Sequence, residues 1–268
     1  MIEKMILLLI LLSTLGCLSA ENIQYNLDMP KKVKGKVPLI IVCPGAGYHK
    51  DLSLFTDIRD EALKNNIACL RFNWKYYSEK RKASDRYQEE LQTIEEMIQV
   101  AKQNPAIDTE KIYLAGKSLG SVLAYQAMLI KEETKADEPK THCGAGCEAS
   151  QNQEATPQYA FRKDIKGLIL LTPIFPDENS AVKLHPNLDK LNIDTYVIVG
   201  ANDPENCDLK VLIAQLAKAP KAIELHVVGG DHGFNLEPWQ EGVVSEKNNQ
   251  NIQNVAQQTI FWIKNKLK

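Results

Sequence analysis

Short apolar runs alternate along the chain with longer segments whose apolar residues recur every three or four positions. The runs predict strands covered on both faces, and the helical recurrence predicts amphipathic helices. Strands are predicted over Pro38–Cys43, Ile67–Phe72, Lys111–Ala115, Ile165–Thr172, Thr195–Val199 and Ala222–Val228. Helices are predicted over Leu52–Leu63, Tyr87–Ala101, Ser118 to about Lys131, Asp208–Lys218 and Ile252–Leu267. The alternation predicts an α/β fold, with a mostly parallel central sheet and helices on both faces.

The first twenty residues have a different pattern. Lys4 lies in a short polar start, Met5–Leu12 is almost wholly aliphatic, and small or polar residues follow. This order is typical of a secretory signal peptide, with cleavage after Ser19 or Ala20. A lipoprotein signal that ends before Cys17 is the alternative. We expect a secreted or periplasmic protein, bound to a membrane only if Cys17 carries a lipid anchor.

The composition is that of an ordinary globular protein. The chain has 268 residues, of which 44% are hydrophobic and 25% charged, and its formal net charge is −2. This length is sufficient for one substantial core, so we expect residues 21–268 to form a single domain. The small net charge gives no reason to expect nucleic-acid binding. The oligomeric state stays open.

A polar segment near 132–163 is unlike the rest of the chain. It follows a predicted helix and precedes a predicted strand, so we expect an insertion on the side of the sheet away from any site. Cys143 and Cys147 lie in it, beside His142. In an oxidising compartment they predict a small disulfide loop, with two free thiols or an incomplete metal site as alternatives. We expect neither a metal nor a cofactor.

A candidate nucleophile follows the third predicted strand. The sequence GKSLG at 116–120 separates that strand from a helix and has Ser118 at its centre. This is G-x-S-x-G in a strand–turn–helix context, in which a serine projects from a sharp turn above the sheet. The alternative is a glycine-flanked helix N-cap, since serine is a favoured cap residue.

A base and an acid follow later strands. His232 lies in GGDHGF after the sixth predicted strand, and Asp203 lies in GANDP after the fifth. Residues that follow parallel strands meet at one edge of the sheet. The predicted roles are Ser118 as nucleophile, His232 as general base and Asp203 as the group that orients the imidazole. Asp231 and Asp208 are rival acids.

The first predicted strand ends in the glycine-rich sequence PGAGY at 44–48. Glycines there let backbone N–H groups turn towards the site, so we expect an oxyanion hole from the N–H groups of Leu119 and Ala46. A tight turn without a ligand is the alternative. The predicted pocket residues are Gly45, Gly47, Tyr48, Trp74 and Phe234.

The segment 71–86 also follows a strand and mixes basic with aromatic residues. It predicts either a basic, aromatic rim that attracts an anionic or aromatic ester, or a solvated loop. Only a short segment separates the fourth predicted strand from the fifth. We therefore expect no large lid and an open pocket.

Taken together, these motifs resemble the α/β-hydrolase superfamily. The similarity runs from about Val37 to Lys266 and is greatest to the small, lidless branch around dienelactone-hydrolase-like proteins. It rests on PGAG at 44–47, LRFN at 70–73, AIDTEKIYLAGKSLGS at 106–121, GANDPENC at 200–207 and GGDHGF at 229–234. Dienelactone hydrolases use a cysteine where this chain has Ser118, so their substrate is not carried over.

These residues predict a serine hydrolase that cleaves carboxylic esters through an acyl-enzyme. A small ester or acyl compound is the expected substrate. A thioesterase, a peptidase or an acyltransferase would use the same triad. A binding protein that retains the hydrolase fold without catalysis is the alternative from another class.

Overall fold

The computed structural model describes residues 23–32, 34–131, 159–175, 188, 191–238 and 245–268. The expected signal segment at 1–20, with Cys17, lies outside these residues. Most of the polar insertion near 132–163 lies outside them too, including the expected Cys143–Cys147 disulfide. The expectations for these segments therefore stay predictions.

The strands are β1 (Tyr25–Asp28), β2 (Val37–Cys43), β3 (Ala68–Phe72), β4 (Ile107–Lys117), β5 (Leu129–Lys131), β6 (Tyr159–Phe161), β7 (Gly167–Leu171), β8 (Asp194–Gly200) and β9 (Glu224–Val228). Seven of them form one sheet in the order β1-β3-β2-β4-β7-β8-β9. Only the edge strand β1 is antiparallel to its neighbour; the other neighbouring pairs are parallel. Strands β5 and β6 form a separate antiparallel pair. The predicted mostly parallel sheet is confirmed.

The helices are α1 (Ser53–Lys64), α2 (Lys75–Ser78), α3 (Gln88–Gln103), α4 (Leu119–Ala127), α5 (Leu209–Leu216) and α6 (Glu246–Lys266), with a 3₁₀ turn at Asp85–Tyr87. Helices α1 and α6 pack against one face of the sheet through residues such as Phe55 and Val255. Helices α3, α4 and α5 pack against the other through residues such as Met97, Leu123 and Leu212. The core is therefore two apolar layers separated by the sheet.

Strand β2 shows why the predicted strands are continuous apolar runs. Leu39 and Ile41 belong to one apolar layer, whereas Ile40 and Val42 belong to the other. All four side chains are buried. A strand covered on both faces has no solvent side, so its sequence does not alternate between apolar and polar residues.

The structure differs from the sequence prediction near two elements. The helix predicted to reach about Lys131 ends at Ala127, and Leu129–Lys131 is strand β5. Strand β1, with the sequence YNLD, was not predicted. It is an edge strand whose residues are only half-buried or exposed, so it has no apolar run to mark it.

Parallel strands bring the predicted site residues to one edge of the sheet. Strand β4 leads to Ser118, β8 leads to Asp203 and β9 leads to His232. Strand β7 ends at Leu171 and β8 begins at Asp194, which leaves no room for a large lid between them. The site therefore lies where a doubly wound sheet places its ligands.

Candidate active site

Ser118 lies on a sharp turn between β4 and α4. Its backbone has φ 53° and ψ −120°, and this positive φ is costly for a residue with a Cβ atom. The Ser118 N–H donates to the carbonyl of Leu171 (2.9 Å), and the Ser118 carbonyl accepts from the N–H of Ser121 (2.9 Å). These contacts hold the strained turn and leave the Ser118 side chain half-buried at the edge of the sheet.

The two glycines of G-x-S-x-G are required by space. A Cβ atom on Gly116 would lie 2.1 Å from the carbonyl oxygen of Gly120. A Cβ atom on Gly120 would lie 2.2 Å from the carbonyl oxygen of Cys43. Strand β4, helix α4 and the end of strand β2 therefore approach each other too closely for any side chain at these positions.

His232 and Asp203 come from two turns that are joined by hydrogen bonds. The N–H of Ala201 donates to the carbonyl of Val228 (2.8 Å), and the N–H of Asn202 donates to the carbonyl of Gly230 (2.9 Å). The parallel pairing of β8 with β9 thus continues beyond the ends of both strands. This pairing fixes the separation between the two side chains.

The three predicted side chains form a continuous hydrogen-bonded chain. His232 Nε2 lies 2.8 Å from Ser118 Oγ, and His232 Nδ1 lies 2.5 Å from Asp203 Oδ2. A carboxylate can only accept, so Nδ1 carries the imidazole proton and Nε2 can accept from the serine hydroxyl. The Asp203 side chain is 3% exposed and its other oxygen accepts from Asn206 Nδ2 (2.7 Å), so both oxygens of this buried carboxylate are paired.

The rival acid Asp231 has other partners. Its Oδ1 accepts from the N–H groups of Gly233 (2.7 Å) and Asn235 (2.9 Å). The Asp231 carboxylate thus stabilises the turn that carries His232. The other rival, Asp208, accepts from the N–H groups of Lys210 and Val211 as the N-cap of helix α5.

Leu119, one of the two expected oxyanion-hole residues, directly follows Ser118. Leu119 is the first residue of α4, and the first N–H groups of a helix have no partner within it. Ala46 and Gly47 are exposed in the turn after β2. The Tyr48 ring lies over Gly45, where a Cβ atom would come within 2.9 Å of Cδ2 of that ring. A Cβ atom on Gly45 would also lie 3.1 Å from the carbonyl oxygen of Lys117, so the turn after β2 passes beside the residue that precedes Ser118.

Trp74 and Phe234 differ from the prediction that they line the pocket. Both are fully buried in the structure. The Trp74 indole N–H donates to the carbonyl of Pro44 (2.9 Å), so this side chain supports the turn after β2 from behind. Phe234 belongs to the apolar layer under α1 and α6. Neither side chain has surface that a ligand could contact.

Two arginines of segment 71–86 are paired with carboxylates of the protein. Arg71 is 2% exposed and pairs with Asp28 (2.9 Å) and Asp51 (2.9 Å). Arg81 pairs with the carboxylates of Glu79 and Glu89. Since these four carboxylates neutralise both guanidinium groups, the structure does not support a rim that attracts an anionic ester through them.

Lys117 is a polar residue at the site that the sequence reasoning missed. It is 1% exposed, and its Nζ donates to Thr172 Oγ1 and to the carbonyl of His232, each at 2.6 Å. Burial lowers the pKa of Lys117 to about 7, against the opposing effect of Asp203 and Asp231. Partial burial raises the pKa of Tyr48, and the same two carboxylates add to this shift. The only available signal was the unusual place of Lys117 between a buried strand and Ser118.

Two other findings concern the described residues only. No group of three or more His, Cys, Asp or Glu side chains in that part of the chain could hold a metal ion. No helix there is sufficiently long and apolar to cross a membrane. Cys43, Cys69 and Cys207 are buried free thiols.

A mostly parallel sheet with a serine on its strand–helix elbow, followed in the chain by an acid and a histidine after later strands, defines the class of α/β-hydrolase folds. A family model described as an alpha/beta hydrolase domain matches residues 36–264. The chain therefore belongs to the α/β-hydrolase family. A comparison with curated proteins finds no match.

Solved structures share this fold. Est1E from Butyrivibrio proteoclasticus is 16% identical with a TM-score of 0.60, over 91% of this chain and 95% of that one. An alpha-beta serine hydrolase homologue from Coxiella burnetii is 15% identical with a TM-score of 0.59, over 88% and 91%. A serine hydrolase described as lacking a lid, from Xanthomonas campestris, is 16% identical with a TM-score of 0.57, over 90% and 88%. At these identities the similarity shows the fold.

Proposed function

We propose that the protein is a serine hydrolase that cleaves carboxylic esters through an acyl-enzyme. The observation that carries the proposal is the hydrogen-bonded chain from Ser118 through His232 to Asp203. Its distances are those at which a general base removes a proton from a nucleophile. The half-buried Ser118 and the paired His232 favour an enzyme over a binding protein that retains only the fold.

In the proposed first half-reaction, Ser118 Oγ attacks the ester carbonyl carbon while His232 Nε2 takes the hydroxyl proton. The carbonyl π electrons move to oxygen, and the N–H groups of Leu119 and Ala46 donate to that oxyanion. When the intermediate collapses, the bond to the alcohol oxygen breaks. His232 gives its proton to the departing alcohol, and the acyl group stays on Ser118.

The second half-reaction repeats these steps with water. His232 takes a proton from water, whose oxygen attacks the acyl carbon. Collapse then breaks the bond to Ser118 Oγ, which recovers a proton from His232, and the carboxylic acid leaves. Asp203 accepts from Nδ1 throughout, so it orients the ring and stabilises the imidazolium that forms twice in each cycle.

The test is covalent labelling by a fluorophosphonate, a reagent that reacts with activated serines. The folded wild type is expected to be labelled, whereas Ser118→Ala is not. Ser53→Ala removes an exposed hydroxyl at the start of α1 and is the matched control that keeps full labelling. A folded wild type that is not labelled would contradict the proposed mechanism and favour a binding protein.

Turnover of substrate then distinguishes the chemistries that share these residues. The panel comprises p-nitrophenyl esters of increasing acyl length, a thioester, a peptide anilide and a hydroxycinnamate ester. The last is included because a structure of Est1E contains ferulic acid. Hydrolysis of the oxygen esters at the highest kcat/KM supports the proposal, whereas a preference for the thioester or anilide would replace the ester assignment.

A further inference from the structure

Lys117 occupies an unusual position beside the site. It is the last residue of β4 and directly precedes Ser118, yet its side chain is buried and directed into the protein. Its Nζ donates to Thr172 Oγ1, in the segment after β7, and to the main-chain carbonyl of His232, in the segment after β9. One side chain thus connects the residue before the nucleophile to the main chain of the base.

The groups in direct contact with this Nζ are neutral. The Tyr48 ring centroid lies 5.4 Å away and the Phe234 ring centroid 5.7 Å, within the range of cation–π contacts. Among the described residues, no carboxylate lies within ion-pair distance of Nζ. Asp203 and Asp231 act on it only through space. A buried ammonium without a paired carboxylate is costly, and a methionine would fill a similar volume at lower cost.

We propose that Lys117 is a positioning residue of the site, whose amino group holds the main chain of His232 beside Ser118. This inference rests on the proposed function. The hydrogen bond from Lys117 Nζ to the His232 carbonyl fixes the main chain of His232 relative to the turn that carries Ser118. The bond therefore maintains the 2.8 Å contact between His232 Nε2 and Ser118 Oγ.

The main test compares Lys117→Met with the wild type and with Lys111→Met. Lys111 lies on the same strand and pairs with Asp108 at the surface, so its variant carries the same substitution away from the site. Two quantities are measured at one fixed pH. One is the rate of fluorophosphonate labelling; the other is the set of NMR chemical shifts of the His232 ring, assigned from their loss in His232→Asn.

We expect Lys117→Met to label about 10- to 100-fold more slowly than the wild type, because a displaced base loses the aligned contact with Ser118. The NMR signals of the His232 ring should also move, because the displaced ring loses its contact with Ser118 Oγ. With an ester substrate, kcat should fall while KM changes little. Lys111→Met should match the wild type in every measurement.

A folded Lys117→Met that labels at the wild-type rate with unmoved His232 ring signals would overturn the inference. If the wild type itself is not labelled, the proposed function fails, and the His232 ring signals alone then decide the role of Lys117. Moved ring signals support the positioning role and unmoved ones contradict it. The two failures are therefore distinguishable.

Thr172→Val provides a second test should Lys117→Met not fold. It removes one acceptor from Nζ and leaves the bond to the His232 carbonyl in place. We expect it to slow labelling by a smaller factor than Lys117→Met, since that bond is retained. A folded Thr172→Val with wild-type labelling would mean that anchoring of Nζ does not position His232, and the inference would be overturned.

Discussion

Two carboxylates near His232 have different partners, and this separates their roles. Asp203 lies 2.5 Å from the His232 ring nitrogen, whereas Asp231 accepts from main-chain N–H groups of its own turn. The sequence alone leaves both residues as candidates for the acid that orients His232, because Asp231 is next to His232 in the chain. The geometry favours Asp203, since neighbouring residues on the turn direct their side chains apart.

Asp203→Asn tests this assignment. An asparagine can keep a hydrogen bond to the ring, but its amide would donate to Nδ1 and place the imidazole proton on Nε2, where it cannot accept from Ser118. We expect kcat for ester hydrolysis to fall about 10⁴-fold, with little change in thermal unfolding. Asp231→Asn is the matched control. Its amide oxygen can still accept from the Gly233 and Asn235 N–H groups, so its kcat should fall far less, and an equal loss in both variants would contradict the assignment.

At this scale the sequence predicts polar residues that follow strand ends, and Ser118, Asp203 and His232 are all of this kind. It does not predict which neighbouring side chains are buried. Trp74 and Phe234 were expected to face a ligand but support the turns from within. Lys117 was overlooked because a lysine in sequence gives no sign that its ammonium lies under the site. Burial of a side chain depends on several segments at once.

At the scale of elements, the elbow between β4 and α4 is determined by backbone contacts. The positive φ of Ser118 is held by hydrogen bonds at both its N–H and its carbonyl. Gly116 and Gly120, on either side of this serine, permit a close approach of strand and helix. The conformation of the elbow therefore depends on the close packing of β2, β4 and α4. A substitution that disrupts this packing should reduce stability as well as activity.

Gly120→Ala tests this coupling. Its Cβ atom would overlap the carbonyl of Cys43, which belongs to a central strand and cannot move easily. We expect the free energy of unfolding in urea to fall by about 3 kcal/mol and labelling of Ser118 to be lost with it. Gly35→Ala is the control: it has a positive φ but nothing within 4 Å, so it should cost about 1–2 kcal/mol and leave labelling intact. A Gly120→Ala variant that loses no more stability than Gly35→Ala would show that strand β2 yields to the added Cβ atom, and would contradict the coupling.

The burial of a helix or strand explains whether its sequence predicts it. Buried strands such as β2 and β7 and amphipathic helices such as α3 are predicted because burial on a regular face leaves a period in the sequence. The edge strand β1 and the short strand β5 leave none. Strand β1 is held by one neighbour and is partly exposed, and β5 needs a distant partner, Tyr159–Phe161, to form.

At the scale of the whole molecule, charged side chains join segments that are distant in sequence. Arg162 pairs with Glu95 of α3 (2.7 Å) and with Asp164 (2.8 Å), and Lys102 at the end of α3 also pairs with Asp164. This network attaches α3 to the segment between β6 and β7, far from the site. A substitution in this network should therefore change the stability of the fold and leave ester hydrolysis unchanged.

Asp164→Asn makes the pH dependence of this network measurable. Hydrogen bonds from Arg162, opposed by burial and aided by Lys102, hold the pKa of Asp164 below its ordinary value near 3.8. A carboxyl with a lowered pKa in the folded state stabilises the fold above its unfolded pKa, and this contribution is lost as the pH falls towards the folded pKa. We expect the variant to unfold in urea about 1–2 kcal/mol more easily at pH 7, with the difference shrinking below about pH 4. A difference that stays constant from pH 7 to pH 3 would show that Asp164 stabilises the fold by packing and not by its charge.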